Sequence, residues 1–134
     1  MKKTSPLLAV FVYLPALTLI ASAAGAQSME QQAQSILEAT GVKGGVVIHI
    51  GCGDGRLTAA LRASNSFIVH GLDTDAQNVE TARRNIRSDN LYGTVSVDRL
   101  ESDQLPYIDN FVNLVVAEDI GEIPRSEVMR VLAP

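Results

Sequence analysis

Three glycines at alternate positions, Gly51, Gly53 and Gly55, follow a nearly all apolar run at 46–50 and are the residues of this chain best placed to receive a small molecule. A turn that leads from a strand into a helix lets a ligand come close to the backbone. It also faces the ligand with unpaired N–H groups and the partial positive charge of a helix start. Spacing decides which ligand. A phosphate-binding loop ends in Gly-Lys-Ser/Thr, and here Gly55 is followed by Arg56-Leu57, which rules that loop out. A dinucleotide turn carries its third glycine three residues after the second, where this chain has Arg56, so that reading is weakened. Cys52, the sole cysteine, allows no intramolecular disulfide, and with His49 and His70 on separate strands no zinc cluster can be assembled. No base lies beside Cys52 in the sequence, so it reads as a small side chain fitted into the turn rather than a nucleophile.

Such a turn needs a sheet and helices to hold it. Residues 46–50 are nearly all apolar and β-branched without alternation, the pattern of a strand covered on both faces in a parallel sheet. Upstream, Met29, Ala33, Ile36 and Leu37 lie at helical spacing within 27–39, and Thr40-Gly41 stops that helix. Downstream, Leu57, Ala60 and Leu61 mark a helix over 56–63, and residues 67–72 a second strand. Thr74 or Asp75 caps a third helix with Val79, Ala82 and Ile86 on one face. A third strand lies at 93–97 and a fourth at 111–117, and Pro124 opens a last helix whose Val128, Met129, Val131 and Leu132 face the core. This alternation predicts an α/β fold, an open and mostly parallel sheet with helices on both faces and a ligand crevice at the C-terminal ends of its strands. With four strands predicted, the fold is expected to be truncated after the fourth strand and its helix, leaving that strand as an exposed apolar edge.

The beginning of the 134-residue chain reads differently. Lys2 and Lys3 precede an uncharged run at 7–24, and Ala24-Gly25-Ala26 offers a small-residue cleavage site, the layout of a signal peptide over residues 1–26. The alternative is a membrane anchor formed by residues 7–24, the membrane then being met only through this segment. Residues 27–134 form one domain, whose formal charge moves from −4 to −6 once the two lysines leave and no acid goes with them. Nucleic acid is not an expected partner of so acidic a domain, and the one basic cluster, Arg83, Arg84 and Arg87, reads as a solvated helix face.

The segment Val47-Ile48-His49-Ile50-Gly51-Cys52-Gly53-Asp54-Gly55 resembles the first motif of class I S-adenosylmethionine-dependent methyltransferases, a Rossmann-like family. The resemblance continues through Val69-His70-Gly71-Leu72-Asp73, through 101–107 with its Leu105-Pro106-Tyr107, through 112–116 and through 127–134. It implies a methyl transfer from S-adenosylmethionine to an acceptor, small molecule or protein, that the sequence leaves open. It also implies cofactor contacts from His49, Gly51, Cys52, Gly53, Gly55, Asp73 and Glu101, without a metal. Asp73 falls eighteen residues after Gly55, near the spacing at which a carboxylate takes both hydroxyls of a ribose. By resemblance Glu101 or its neighbours meet the adenine edge. Glu118 and Asp119 sit where the family keeps substrate-facing residues, the bland alternative being solvated loop carboxylates. Two departures stand out: His49 replaces an acidic residue before the glycines, and Asn113 replaces an aspartate of the fourth strand.

An export signal and a cytoplasmic cofactor conflict. The leader implies an exported, periplasmic protein, so the second reading is an exported, non-catalytic methyltransferase-like binding or scaffolding domain. The layout also resembles the front end of exported bacterial chains in which such a domain precedes a quinone-type β-propeller.

Overall fold

The computed structural model of the chain describes residues 28–134 together with the backbone of Val10–Val12. The leader expected over residues 1–26 otherwise lies outside the described residues. Among the described residues nine elements follow in order: β1 Val10–Val12, α1 Met29–Thr40, β2 Gly45–Ile50, α2 Arg56–Leu61, β3 Phe67–Asp73, α3 Ala76–Ser88, β4 Val95–Arg99, β5 Leu114–Ala117 and α4 Arg125–Val131. The strands form one parallel sheet in the order β1-β5-β2-β3-β4. Two cores sandwich it. On one face Val47, Val69, Val97 and Val116 pack against Ile36, Leu61, Val79 and Ile86 of α1, α2 and α3. On the other, Ile48, Leu72 and Val115 pack against Val128 and Val131 of α4 and against Leu105. Apolar side chains thus leave β2 and β5 in both directions, which is why their sequences show no alternation.

Local chemistry sets the helix ends. Ser28 Oγ accepts the Gln31 N–H at 3.1 Å while Gln31 Oε1 accepts the Ser28 N–H at 3.1 Å, a reciprocal cap that starts α1. Gly41 closes the helix in the left-handed region, its N–H on the Leu37 carbonyl at 2.9 Å. Asp75 is the cap of α3, accepting the Gln77 N–H at 2.8 Å.

Three expectations change. The fourth strand is shorter than 111–117: β5 begins at Leu114, with Phe111 exposed and Val112 bridged to Leu132. Asn113 is occupied at that boundary, its Oδ1 accepting the Val46 N–H at 2.9 Å while its own N–H donates to the Val46 carbonyl. It stands at the strand's N-terminal end, the opposite end of the sheet from the ligand crevice. Finally, the outer side of β5 is not a free edge: Val10, Phe11 and Val12 lie in parallel register with Val115, Val116 and Ala117. A short run inside the presumed leader therefore covers the strand expected to be bare.

Of the basic cluster on α3, Arg83 is tied down, its Nε on the Val97 carbonyl at 2.9 Å and its guanidinium on Asp98 at 2.9 Å. Arg87 lies over the Tyr92 ring at 4.8 Å.

Candidate functional site

The C-terminal ends of β2 and β3 converge on the 51–55 turn and on Asp73. The turn is closed from within. The Gly51 and Cys52 N–H groups both donate to the Leu72 carbonyl at 2.7 and 3.1 Å, and the Gly55 N–H donates to the Cys52 carbonyl at 3.0 Å. The Gly53 N–H donates to Asp73 Oδ2 at 3.0 Å. The expected row of unpaired donors is therefore absent from these four positions, because the neighbouring strand and its terminal carboxylate have taken them. What the turn offers instead is space: a Cβ at Gly51 or Gly53 would meet nothing within 4 Å, and both residues have positive φ. A ligand can rest against bare backbone there, while an anion seeking several N–H donors would find them spent.

Gly55 does different work. A Cβ on it would stand 2.8 Å from the Ala82 Cβ and 3.0 Å from the Ala82 Cα, so Gly55 lets α2 start against α3. Gly55→Ala is expected to cost about 2–4 kcal/mol from overpacking together with its positive φ, read as a lower urea midpoint. The paired change with Ala82→Gly should recover the steric share.

Asp73 is 8% exposed, and both of its oxygens are engaged. Besides Gly53, it accepts the Asp75 N–H at 2.9 Å and stands 3.3 Å from Asn78 Nδ2. The carboxylate thus links the glycine turn to the start of α3. A cleft of about 310 Å³ opens beside it, lined by Gly51, Asp73, Thr74, Leu100 and Ser102 on one side and by residues 119–123 on the other. A larger depression of about 1380 Å³ lies between α1, α2 and the end of α3, away from Asp73 and the first two glycines. Asp73 and Gly51 line the smaller one.

The other sequence candidates fall as follows. Asp119 lines the cleft and accepts the Gly121 N–H through Oδ1 at 2.8 Å, whereas Glu118 is exposed outside the lining. Glu101 is exposed and 3.9 Å from Arg99, while its neighbours Leu100 and Ser102 line the cleft. Cys52 is buried, and burial first, then the nearby Asp73, pushes its thiol up to about 12. It therefore stays protonated, and a thiol-reactive dye at pH 8 should label it only when denaturant unfolds the domain. His49 is buried beneath the turn with Nδ1 at 2.7 Å from Thr58 Oγ1, and burial lowers its pKa to about 4, Asp73 opposing. Among the described residues no group of three or more His, Cys, Asp and Glu side chains could hold a metal ion.

Two supports of the 105–109 loop escaped sequence reasoning. Tyr107 bonds His70 Nδ1 at 2.5 Å, and the other ring nitrogen of His70 meets Asp98 at 2.8 Å. Burial, with Asp98, pushes the Tyr107 hydroxyl up. From α4, Arg130 donates to the Tyr107 and Leu105 carbonyls at 2.8 and 3.2 Å, while Glu127 accepts the Leu105 N–H at 2.8 Å. The Arg130 hydrogen bonds, followed by the Leu105 N–H, hold the Glu127 carboxyl down at about 2. The Leu-Pro-Tyr signal located this loop, and only the fold brings His70 and α4 to it.

Residues 47–134 match the family model of the methyltransferase domain. The chain belongs to that family. The methyltransferase domain is 32% identical to methyltransferase GfsG of Streptomyces halstedii over 111 residues, 81% of this chain and 40% of that protein. It is 32% identical over 87 residues to the ribosomal protein L11 methyltransferase of Anoxybacillus flavithermus, 65% of this chain and 27% of that one. The chain thus spans less than half the length of these relatives. Among solved structures, a protein of Methanococcus maripaludis provisionally assigned as an S-adenosyl-L-methionine-dependent methyltransferase superposes with a TM-score of 0.67 at 28% identity, covering 76% of this chain and 49% of its own. The [4+2]-cyclase SpnF shares the fold, with a TM-score of 0.66 at 23% identity over 78% of this chain and 42% of its own.

Proposed function

We propose that the domain binds S-adenosylmethionine across the C-terminal ends of β2 and β3 and transfers its methyl group to an acceptor. One observation carries this reading: an open glycine turn whose N–H groups are already satisfied, set beside a buried carboxylate. That arrangement suits a nucleoside ligand without phosphates. Gly51 and Gly53 would seat the amino-acid end, Asp73 would accept the ribose hydroxyls with its remaining lone pairs, and Leu100 with Ser102 would border the base, Glu101 beside them. The bound cofactor supplies a methyl group activated on a sulfonium. The chain's part is to hold and orient it, since an in-line displacement gains most from proximity. Asp73, Asp119 and Glu122 give the cleft a negative lining that favours the sulfonium cation. Asp119, which lines the far wall, would face the acceptor.

The leader layout at residues 1–26 favours a second reading, an exported domain that keeps the fold and a ligand but not the reaction. Calorimetry of the full chain with S-adenosylmethionine and S-adenosylhomocysteine tests the binding both readings share, and absence of heat from both ligands would overturn the site. Binding, together with a mature form ending its leader after Ala26 in a periplasmic fraction, would favour the second.

A further inference from the structure

One buried polar pair beneath the turn has no part in the reading above. Thr58, the third residue of α2, is wholly buried, and its Oγ1 lies 2.7 Å from Nδ1 of His49, the penultimate residue of β2, itself 5% exposed. β2 leads into the 51–55 turn and α2 leads out of it, so this single bond ties the two ends of the turn together. Gly71 faces His49 across the sheet and leaves room for the arrangement. A Cβ there would stand 3.0 Å from the Cys52 Cβ and 3.1 Å from Thr58 Cγ2.

Hydrogen accounting settles the direction of the bond. A wholly buried hydroxyl must place its proton on an acceptor, and among the described residues His49 Nδ1 is the acceptor given to Thr58. Thr58 therefore donates, and the neutral imidazole carries its own proton on Nε2. A protonated ring would turn an N–H toward the hydroxyl and leave the Thr58 proton without a partner. The charged group acting on the ring is Asp73, and burial outweighs it in keeping the ring neutral.

We propose that the His49–Thr58 bond is a positioning device for one end of the ligand: by fixing the two ends of the turn it sets the backbone at Gly51 and Gly53 that seats the amino-acid portion, while the adenosine portion depends on Asp73. This rests on the cofactor reading above. It makes His49 and Thr58 positioning residues whose loss is felt by one half of the ligand and not the other.

The test uses two probes on the full chain, S-adenosylhomocysteine and methylthioadenosine, the second keeping the adenosine and thioether but lacking the amino acid. Thr58→Val removes the hydroxyl at nearly constant shape, and Thr58→Ser keeps it. Thr58→Val is expected to bind S-adenosylhomocysteine about tenfold more weakly, the scale of one hydrogen bond, and methylthioadenosine as tightly as before. Thr58→Ser should restore the first affinity, and His49→Gln should follow Thr58→Val. If Thr58→Val does not fold, Thr58→Ala repeats the measurement without the added methyl. Equal weakening of both probes would mean that the pair merely supports the fold, and unchanged binding of both would mean that it does nothing for the turn. Either result overturns the proposal while leaving the cofactor reading intact. A wild-type chain that binds neither probe would bring down the cofactor reading and this inference with it.

Discussion

Asp73→Asn should weaken S-adenosylhomocysteine binding by about 10–100-fold, the largest loss expected from any single substitution in the domain. The carboxylate serves two backbone donors, the Gly53 N–H at 3.0 Å and the Asp75 N–H at 2.9 Å. An amide of the same shape has one oxygen and one NH₂, so whichever way it turns, one of those N–H groups faces another donor. The cost is about 1–3 kcal/mol before any ligand is considered. A ligand that relies on the same carboxylate for its ribose then loses a charged acceptor as well. Calorimetry gives the affinity and a urea melt gives the stability. Affinity equal to wild type in a measurably destabilised Asp73→Asn would show that Asp73 only braces the turn, and would remove it from the ribose site.

The second large effect is on acid stability. His49 titrates near 4 in the folded chain, against 6.5 for a free imidazole, because burial disfavours the charged ring. Between those values the unfolded chain takes up a proton that the folded chain refuses, so stability is full above about pH 6.5 and falls as the pH drops toward 4. The whole interval is worth about 3 kcal/mol, and the step from pH 7 to pH 5 about 2 kcal/mol. Urea melts at those two pH values should show the drop, and His49→Gln should flatten it. Glu127 acts in a lower window: its carboxyl is held at about 2, so its contribution is lost only as the pH falls from 4.5 toward 2. A wild-type chain equally stable at pH 7 and pH 5 would contradict the burial of a neutral His49.

The fold was legible where one element's chemistry is written in consecutive residues. The run at 46–50, the spaced Val79, Ala82 and Ile86, and the Asp75 cap all became what their spacing predicts, because burial on one face or on two leaves a period in the sequence. The glycine turn and the carboxylate at the end of β3 were legible as local features, and the structure brings them together through the Gly53–Asp73 bond. What stayed hidden depends on residues far apart in the chain. The donors of the turn are spent on Leu72 and Asp73, about twenty residues away, and no local signal announces that. Gly71 resembles an ordinary strand glycine until Cys52 and Thr58 are seen to press against it. The grip of Arg130 on the 105–109 loop depends on α4 folding back over it. Val10–Val12 shows the opposite problem: a leader and a strand of a parallel sheet share one composition, and periodicity cannot separate them.

Gly45 and Asn113 bear on how this sequence can drift. A Cβ at Gly45 would fall 2.1 Å from Asn113 Oδ1, the atom that accepts the Val46 N–H. Neither position is free to wander alone: any side chain at 45 evicts the amide, and a bulkier residue at 113 has only the emptiness of a glycine to occupy. Across descendants of this chain the two positions should change in the same step or not at all, so a substitution at 45 that is harmful here can be harmless in a relative whose residue 113 is smaller.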